Sequence, residues 1–158
     1  MKVQDFSVTD EFHDIVQIGF VVEDLAKVRQ AMLDVFGLEP DSSGLMPFKD
    51  CTYKYSDELI DAPVYADFYN FFNIQLEFLQ PTGDHDDIWS DYLKLGQHGL
   101  HHIRFDVDDN DRANKLMAEK GIGVWMEGPS IKTPGARFTY YDSLDKLGFI
   151  VEGVTRAK

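Results

Sequence analysis

Two adjacent histidines, His101 and His102, open an alternating segment, GLHHIRFDVDD, that spans residues 99–109. Imidazole nitrogen is a common ligand for divalent metals, so a histidine in a strand is a candidate for chemistry. Alternate side chains of a strand point to opposite faces, which groups His102 with Arg104 and opposes both to Phe105. His101 shares the face of Phe105, which we expect to pack on a helix. We therefore predict that His102 carries chemistry and that His101 is structural, because neighbours on opposite faces cannot easily ligate one ion.

Three more polar side chains occupy the corresponding face of other predicted strands: Gln17, Glu77 and Glu152. Aligning the two halves of the chain superposes Gln17 on His102, and aligning NIQLE with GFIVE superposes Glu77 on Glu152. A pseudo-twofold axis between the halves would bring all four side chains to one point. One nitrogen and three oxygen donors suit a divalent ion such as zinc, nickel, cobalt or manganese, with open positions for water. Each residue alone has an ordinary role, solvated or hydrogen-bonded, but their joint placement predicts a metal site.

The elements that must position these residues form an internal repeat. Residues 17–37 align with residues 102–121, and each copy reads as a strand, an aspartate that suits a helix N-cap, and an amphipathic helix that ends at a glycine. Self-similarity of this kind indicates a duplicated half-domain. The apolar helix stripes predicted to be core are Leu25, Val28, Met32, Val35 and Phe36 in the first copy, and Ala113, Leu116 and Met117 in the second.

Segments rich in β-forming residues, broken by turn residues, follow each predicted helix, so the element order is βαβββ, twice. We expect one α+β domain over residues 1–158, made of half-modules 14–82 and 99–154. The acidic stretch 83–98 reads as a linker that enters a short helix with apolar side chains on one face.

Composition limits the classes of function. The chain has 158 residues, 44% of them apolar, which suffices for one domain with a real core. Its formal charge of −13 repels phosphate backbones and anionic membranes, so we expect neither nucleic acid nor membrane as a partner. The start of the chain lacks a signal-peptide core, and no apolar run approaches the roughly 20 residues that span a bilayer, which predicts a soluble, cytoplasmic protein. The single cysteine, Cys51, permits no internal disulfide and is expected to be inert.

From about Asp14 to Val154 the sequence resembles the vicinal oxygen chelate superfamily, which includes glyoxalase I, methylmalonyl-CoA epimerase, extradiol dioxygenases and bleomycin-resistance proteins. GLHHIRFDVDD looks like the epimerase signature, whose second histidine binds metal, and this implies a ligand at His102. IQLEFLQP and LGFIVEGV resemble the family's ligand-bearing strands and imply ligands at Glu77 and Glu152. Epimerases usually carry a ligand histidine where Gln17 stands, yet a Gln, Glu, His, Glu set resembles that of zinc-type glyoxalase I. The resemblance implies two βαβββ modules that form a cup-like mixed sheet around a metal, with helices outside.

The expected activity is that of a metal-dependent lyase or isomerase, which abstracts a proton next to a chelated carbonyl of a small metabolite or thioester. Glu152 is expected to act as the base, as the family uses that position, with Glu77 as the carboxylate that returns the proton. Zinc is the first expectation for the metal. Arg104 is expected either to hold a substrate carboxylate or phosphate or to pair with Asp106, and Tyr140 is expected to line the pocket.

The alternative function is a binding protein of the bleomycin-resistance type, which sequesters a small molecule without catalysis. Extradiol ring cleavage is less favoured, because position 17 has no histidine, although an offset strand could turn His13 inward. A thioester or glutathione substrate would need a basic rim, for which Lys49, Lys54 and Lys132 are candidates. A homodimer is also expected, since members of this superfamily often dimerise. Substrate identity, native metal and exchange of modules between chains stay open at this stage.

Overall fold

A computed structural model describes residues 7–155. A short helix α1 (Val8–Glu11) precedes the first module, which consists of β1 (Phe12–Val21), α2 (Leu25–Phe36), β2 (Ser42–Tyr53), β3 (Ile60–Phe71) and β4 (Ile74–Pro81). Helix α3 (Ile88–Lys94) follows. The second module consists of β5 (Gly99–Val107), α4 (Asn110–Glu119), β6 (Val124–Pro129), β7 (Arg137–Tyr141), a one-turn helix α5 (Leu144–Leu147) and β8 (Ile150–Thr155).

The eight strands form one closed barrel in the order β1-β4-β3-β2-β6-β7-β8-β5. Strand β1 runs parallel to β4 and β5 runs parallel to β8, while the other neighbours are antiparallel. The modules meet at two seams: a long one between β1 and β5, and a short one between β2 and β6 that pairs only Thr52 with Glu127 and Tyr53 with Met126. The predicted α+β fold of two βαβββ modules is confirmed, with the expected cup closed into a barrel by the short seam.

The helices begin where the repeat predicts. Asp24 accepts a hydrogen bond from the backbone N–H of Lys27, and Asp109 accepts one from the N–H of Arg112. These N-caps satisfy backbone donors that the first helical turn leaves unpaired. Helix α2 ends at Gly37, whose φ of 68° lies in the left-handed region that glycine favours.

The core stripe of α2 is shorter than predicted. Leu25 and Met32 are buried against the outer face of the first module, but Val35 is 71% exposed and Phe36 is 51% exposed. The last turn of the helix reaches the end of β3, where Phe36 packs edge-on against Phe71 and solvent covers the rest. The predicted stripe of α4, namely Ala113, Leu116 and Met117, is buried.

Helix α3 contributes to the barrel interior rather than to its outer wall. Ile88, Trp89 and Tyr92 belong to the same buried cluster as inward-facing strand residues such as Val64 and Leu79. A hydroxyl hydrogen bond from Tyr92 to the carbonyl of Leu100 fastens the helix to β5. The stretch between the modules is therefore packed against the interior. Within residues 7–155, the structure contains no helix with both the length and the apolar character that crossing a bilayer requires.

Candidate active site

Four strands that are neighbours in the barrel, in the order β4, β1, β5 and β8, carry Glu77, Gln17, His102 and Glu152. All four side chains are buried. Their inward orientation follows from strand alternation, because the intervening residues, such as Phe78 on β4, pack outward against a helix.

The four side chains meet around one nitrogen. Nε2 of His102 lies 3.2 Å from Oε1 of Glu77 and 3.2 Å from Oε2 of Glu152. Oε1 of Gln17 lies 3.4 Å from the same nitrogen. The structure thus brings together the four residues that the sequence singles out, although they are separated by up to 135 positions along the chain, from 17 to 152.

Gly19 makes room for the imidazole, a role that sequence reasoning missed. Gly19 is opposite both Glu77 on β4 and His102 on β5. A Cβ atom built on Gly19 would lie 2.0 Å from Cε1 of His102, so the ring occupies the volume that any side chain would need. The sequence contained an indication of this role, because a glycine in the middle of a strand commonly marks a place where another group approaches the backbone closely.

Gln75 is a second residue that the sequence analysis did not assign to the site. It is opposite Gln17 in the β1–β4 pairing, and its Oε1 accepts a 2.7 Å hydrogen bond from Nε2 of Gln17. Because one end of the Gln17 amide is engaged in this way, its oxygen faces His102. Gln75 also lines the pocket described below.

His101 packs against a helix, and that helix is α3. It is fully buried, with its ring edge-on to Tyr92 of α3 at 4.8 Å between centroids. Its Nδ1 lies 2.8 Å from Nδ1 of His102, so one ring donates a hydrogen bond to the other. Burial first, and then the neighbouring His102, hold the pKa of His101 well below its usual value.

The electrostatics of the four-residue cluster depend on burial and on mutual charge. Burial disfavours the imidazolium of His102, but the carboxylates of Glu152 and Glu77 outweigh it and raise the pKa of this histidine. Burial raises the pKa of Glu152 to about 7, with His102 and Arg104 opposing the rise and Glu77 adding to it. Perturbed titratable groups of this kind cluster at functional sites.

Gln17, Glu77 and Glu152 form part of the wall of a cavity of about 370 Å³, while His102 is fully buried. The cavity lining also contains apolar side chains, namely Met46, Phe48, Phe68, Phe138 and Val154. A cavity with a few convergent polar groups on an apolar wall is the usual form of a small-molecule site.

Two predicted substrate-binding residues, Arg104 and Tyr140, line this cavity. Tyr140 is buried, its ring centroid lies 5.0 Å from that of His102, and burial raises its pKa well above the usual value. Nε of Arg104 is buried and has no hydrogen-bond partner. Arg104 is opposite Gln17 and Glu152 in the two strand pairings that flank it.

The other candidate residues are distributed unevenly around the molecule. Lys132 lines the cavity, and its Nζ lies 3.7 Å from the centroid of Phe68. Lys54 instead pairs with Asp91 at 2.7 Å, on α3. His13, which an offset strand could have turned inward, pairs with Asp108 at the surface, with 2.7 Å between Nε2 and Oδ2.

A divalent metal fits the chemistry of this donor set. Ligand atoms about 2.0–2.2 Å from zinc lie roughly 3.0–3.6 Å from one another, and the separations of 3.2, 3.2 and 3.4 Å fall in that range. Oε2 of Glu152 is also a buried oxygen with no hydrogen-bond partner. As the side chains stand, however, no group of three or more His, Cys, Asp and Glu within residues 7–155 could hold a metal ion. The oxygens of Gln17, Glu77 and Glu152 lie around Nε2 of His102 itself. A cation would have to take the place of a proton on this nitrogen, and the two carboxylates would have to move apart to admit it.

Comparisons with known proteins agree with this architecture. Residues 16–140 match the Glyoxalase/Bleomycin resistance protein/Dioxygenase superfamily. A variant of methylmalonyl-CoA epimerase from Streptomyces coelicolor, in complex with 2-nitronate-propionyl-CoA, has 23% identity and a TM-score of 0.63 over 92% of this chain and 96% of that one. The methylmalonyl-CoA epimerase of Mycobacterium tuberculosis has 18% identity and a TM-score of 0.58 over 96% and 91%.

A hypothetical protein, BH1468 from Bacillus halodurans C-125, has 16% identity and a TM-score of 0.62 over 92% of this chain and 95% of that one. No curated protein matches the sequence. At these identities the structural likeness shows the fold alone, whereas the family match spans most of the chain. The chain therefore belongs to the glyoxalase/bleomycin resistance protein/dioxygenase superfamily.

Proposed function

We propose that this protein is a metal-dependent isomerase of the epimerase type, which moves a proton at a carbon next to a carbonyl group. The observation that carries the proposal is the convergence of Gln17, Glu77 and Glu152 on Nε2 of His102 in the wall of a cavity. Structural likeness to methylmalonyl-CoA epimerases supports an isomerase over the lyase that the sequence leaves equally open.

In this proposal His102, Gln17, Glu77 and Glu152 hold the metal, with zinc expected first. A divalent cation held there would act as a Lewis acid on a chelated substrate carbonyl and would acidify the neighbouring C–H bond. Two carboxylates balance the charge of the cation, while the neutral amide and imidazole complete the set.

Glu152 is the base in this proposal. Glu77 engages His102 by a hydrogen bond, whereas Oε2 of Glu152 has no hydrogen-bond partner and lies in the cavity wall. The proton leaves the substrate carbon for the Glu152 carboxylate, and a protonated Glu77 delivers a proton to the opposite face of that carbon. Exchange with solvent then removes the proton from Glu152 and returns one to Glu77. No oxidant or reductant is needed, because the substrate and its isomer have the same composition.

Arg104 and Lys132 define the expected substrate as an anion. Both line the same cavity as Gln17, Glu77 and Glu152, and Nε of Arg104 is buried and has no hydrogen-bond partner. A guanidinium binds a carboxylate or phosphate with two parallel hydrogen bonds, so such a group on the substrate would satisfy it. These two cationic side chains stand in a lining that also contains the carboxylates of Glu77, Asp106 and Glu152.

Two measurements test the proposal. Protein purified without added ions should contain about one divalent metal per chain by elemental analysis. In D₂O, a 2-substituted malonyl thioester or a small 2-hydroxycarbonyl acid should exchange its acidic C–H for deuterium, detected by NMR. Glu119→Gln, an exposed change on α4, serves as the control that should exchange at the wild-type rate. Metal content near zero together with no exchange on any of these substrates would overturn the proposal.

A sequestering protein without catalysis is the second candidate, and one observation favours it. As arranged, the described residues contain no three-residue His, Cys, Asp or Glu group that could hold a metal, and His102 is ion-paired with two glutamates instead. A pocket of this form could bind an anion at Arg104 without any cation. Metal-free protein that binds a small carboxylate tightly and exchanges no proton would support this function.

A further inference from the structure

The ring of His101 contacts the proposed ligand His102 without belonging to the cluster around Nε2. It is fully buried, and its Nδ1 lies 2.8 Å from Nδ1 of His102, with the two ring planes at 88°. Tyr92 of α3 packs edge-on against His101 at 4.8 Å between ring centroids. His101 therefore contacts both the linker helix and the ring of His102.

A hydrogen bond between two imidazole Nδ1 atoms contains one proton, and its position decides what Nε2 of His102 can do. A neutral ring has one N–H and one lone pair, so His102 can offer a lone pair at Nε2 only when its proton is on Nδ1. That proton then points at Nδ1 of His101, which must accept it. In that arrangement His101 carries its own proton on the buried Nε2 atom, and the backbone of Ile88 interacts with this residue.

We propose that His101 is a positioning residue: it accepts the Nδ1–H of His102, fixes that tautomer and ring orientation, and so directs the Nε2 lone pair toward the bound cation. The inference rests on the proposed role of His102 as a ligand. Ligand histidines usually donate their second N–H to a carboxylate, carbonyl or water, and such partners affect metal affinity by about 10- to 100-fold. Here the acceptor is a second imidazole, held in place by α3.

Nitrogen NMR on zinc-loaded, ¹⁵N-labelled wild-type protein tests the direction of the bond. We expect a protonated Nδ1 on His102, an unprotonated Nδ1 on His101, and a scalar coupling between the two nitrogens across the hydrogen bond. A proton on Nδ1 of His101 instead, or two rings that show no coupling, would overturn the inference. This measurement needs neither a substrate nor a variant that folds.

Zinc affinity, measured by competition with a chelator, provides the second test. His101→Leu removes the acceptor while filling much of the space, and should weaken zinc binding by about 10- to 100-fold. His101→Asn returns an oxygen acceptor near the former Nδ1 position and should restore the affinity to within about fivefold of wild type. Equal affinities for His101→Leu, His101→Asn and wild type would overturn the inference.

Tyr92→Phe separates positioning from packing. It keeps the aromatic contact with His101 but loses the hydroxyl bond to Leu100, so it should lower thermal stability and leave zinc affinity unchanged. If affinity falls in proportion to stability across all three variants, the role of His101 is structural alone. The proposed function fails separately, when wild-type protein itself binds no zinc.

Discussion

The two modules have the same elements but fill equivalent site positions differently. Both contribute a glutamate from their last strand, Glu77 in the first module and Glu152 in the second. From the first strand, one module contributes the amide of Gln17 and the other the imidazole of His102. The fold symmetry thus places four donors at one point, while the chemical type of each donor is set independently in each half.

The two modules also differ in the contacts that orient their neutral donors, Gln17 and His102. Gln17 is held by the side chain of Gln75, and the position equivalent to Gln75 in the second module is the apolar Ile150. His102 is held instead by its chain neighbour His101. Each neutral donor therefore has one orienting contact, which comes from a neighbouring strand for Gln17 and from the same strand for His102. Variants in the two modules can be compared to test this difference.

The largest effect is expected from the two glutamates. Glu152→Gln should lower turnover by about 100- to 10,000-fold and keep most of the metal, because it removes a base whose oxygen has no other partner. Glu77→Gln should mainly weaken metal binding, because both glutamates lie 3.2 Å from Nε2 of His102 but only Glu77 is also hydrogen-bonded to this histidine. Steady-state kinetics and elemental analysis on both variants check the difference. Equal losses in both measurements would show that the carboxylates are interchangeable.

The second largest effects are expected from variants of the two neutral donors, His102 and Gln17. His102→Ala is expected to weaken zinc affinity by more than about 100-fold, exceeding the range found for outer partners, without unfolding the protein. Gln17→Ala should weaken it less, because a neutral amide oxygen is a poorer donor than imidazole. Chelator competition gives both affinities, and circular dichroism checks the fold. A larger loss of zinc affinity in Gln17→Ala than in His102→Ala would contradict this ranking of the two donors.

Gly19→Ala should destabilise the protein by about 1–3 kcal/mol, because the added methyl group meets the buried ring of His102. Gly44→Ala is the matched control: Gly44 is also in a strand of the first module, at β2, and a Cβ built there has no atom within 4 Å. Urea unfolding of both variants gives the difference. Equal stabilities would mean that the ring of His102 moves aside at little cost.

The smallest effect concerns Cys51, next to the short seam. Burial, followed by Asp61 and Asp50, raises the pKa of its thiol to about 12, so the thiol stays protonated and inert at pH 8. Iodoacetamide should label native protein far more slowly than protein unfolded in urea, with mass spectrometry as the readout. Fast labelling of the native chain would show that β2 and β6 part readily, since Gly128 of β6 lies against Cys51.

Strand alternation and the internal repeat were enough to predict the order of the elements and the four residues that converge, because both depend on periodicity that the sequence displays, while the cup-like sheet was implied by the family resemblance. Contacts between neighbouring strands depend on register, which no periodicity reveals, and so Gly19 and Gln75 were missed. His101 was predicted to lie on a helix-packed side, but its contact with α3 could not be predicted, since the packing of that helix is a tertiary effect. Homodimerisation and a cytoplasmic location remain predictions.

Because Gly19 faces His102, and Gln17 faces Arg104, the residue type at each of these positions limits which side chain fits opposite it. The imidazole of His102 is accommodated because nothing projects from Gly19 on the adjoining strand, and by the same symmetry Gln17 faces Arg104. In Gln17→His, an imidazole in the first module would therefore lie opposite the side chain of Arg104 instead of opposite a glycine. The register thus gives the imidazole an open position in the second module that the first module lacks.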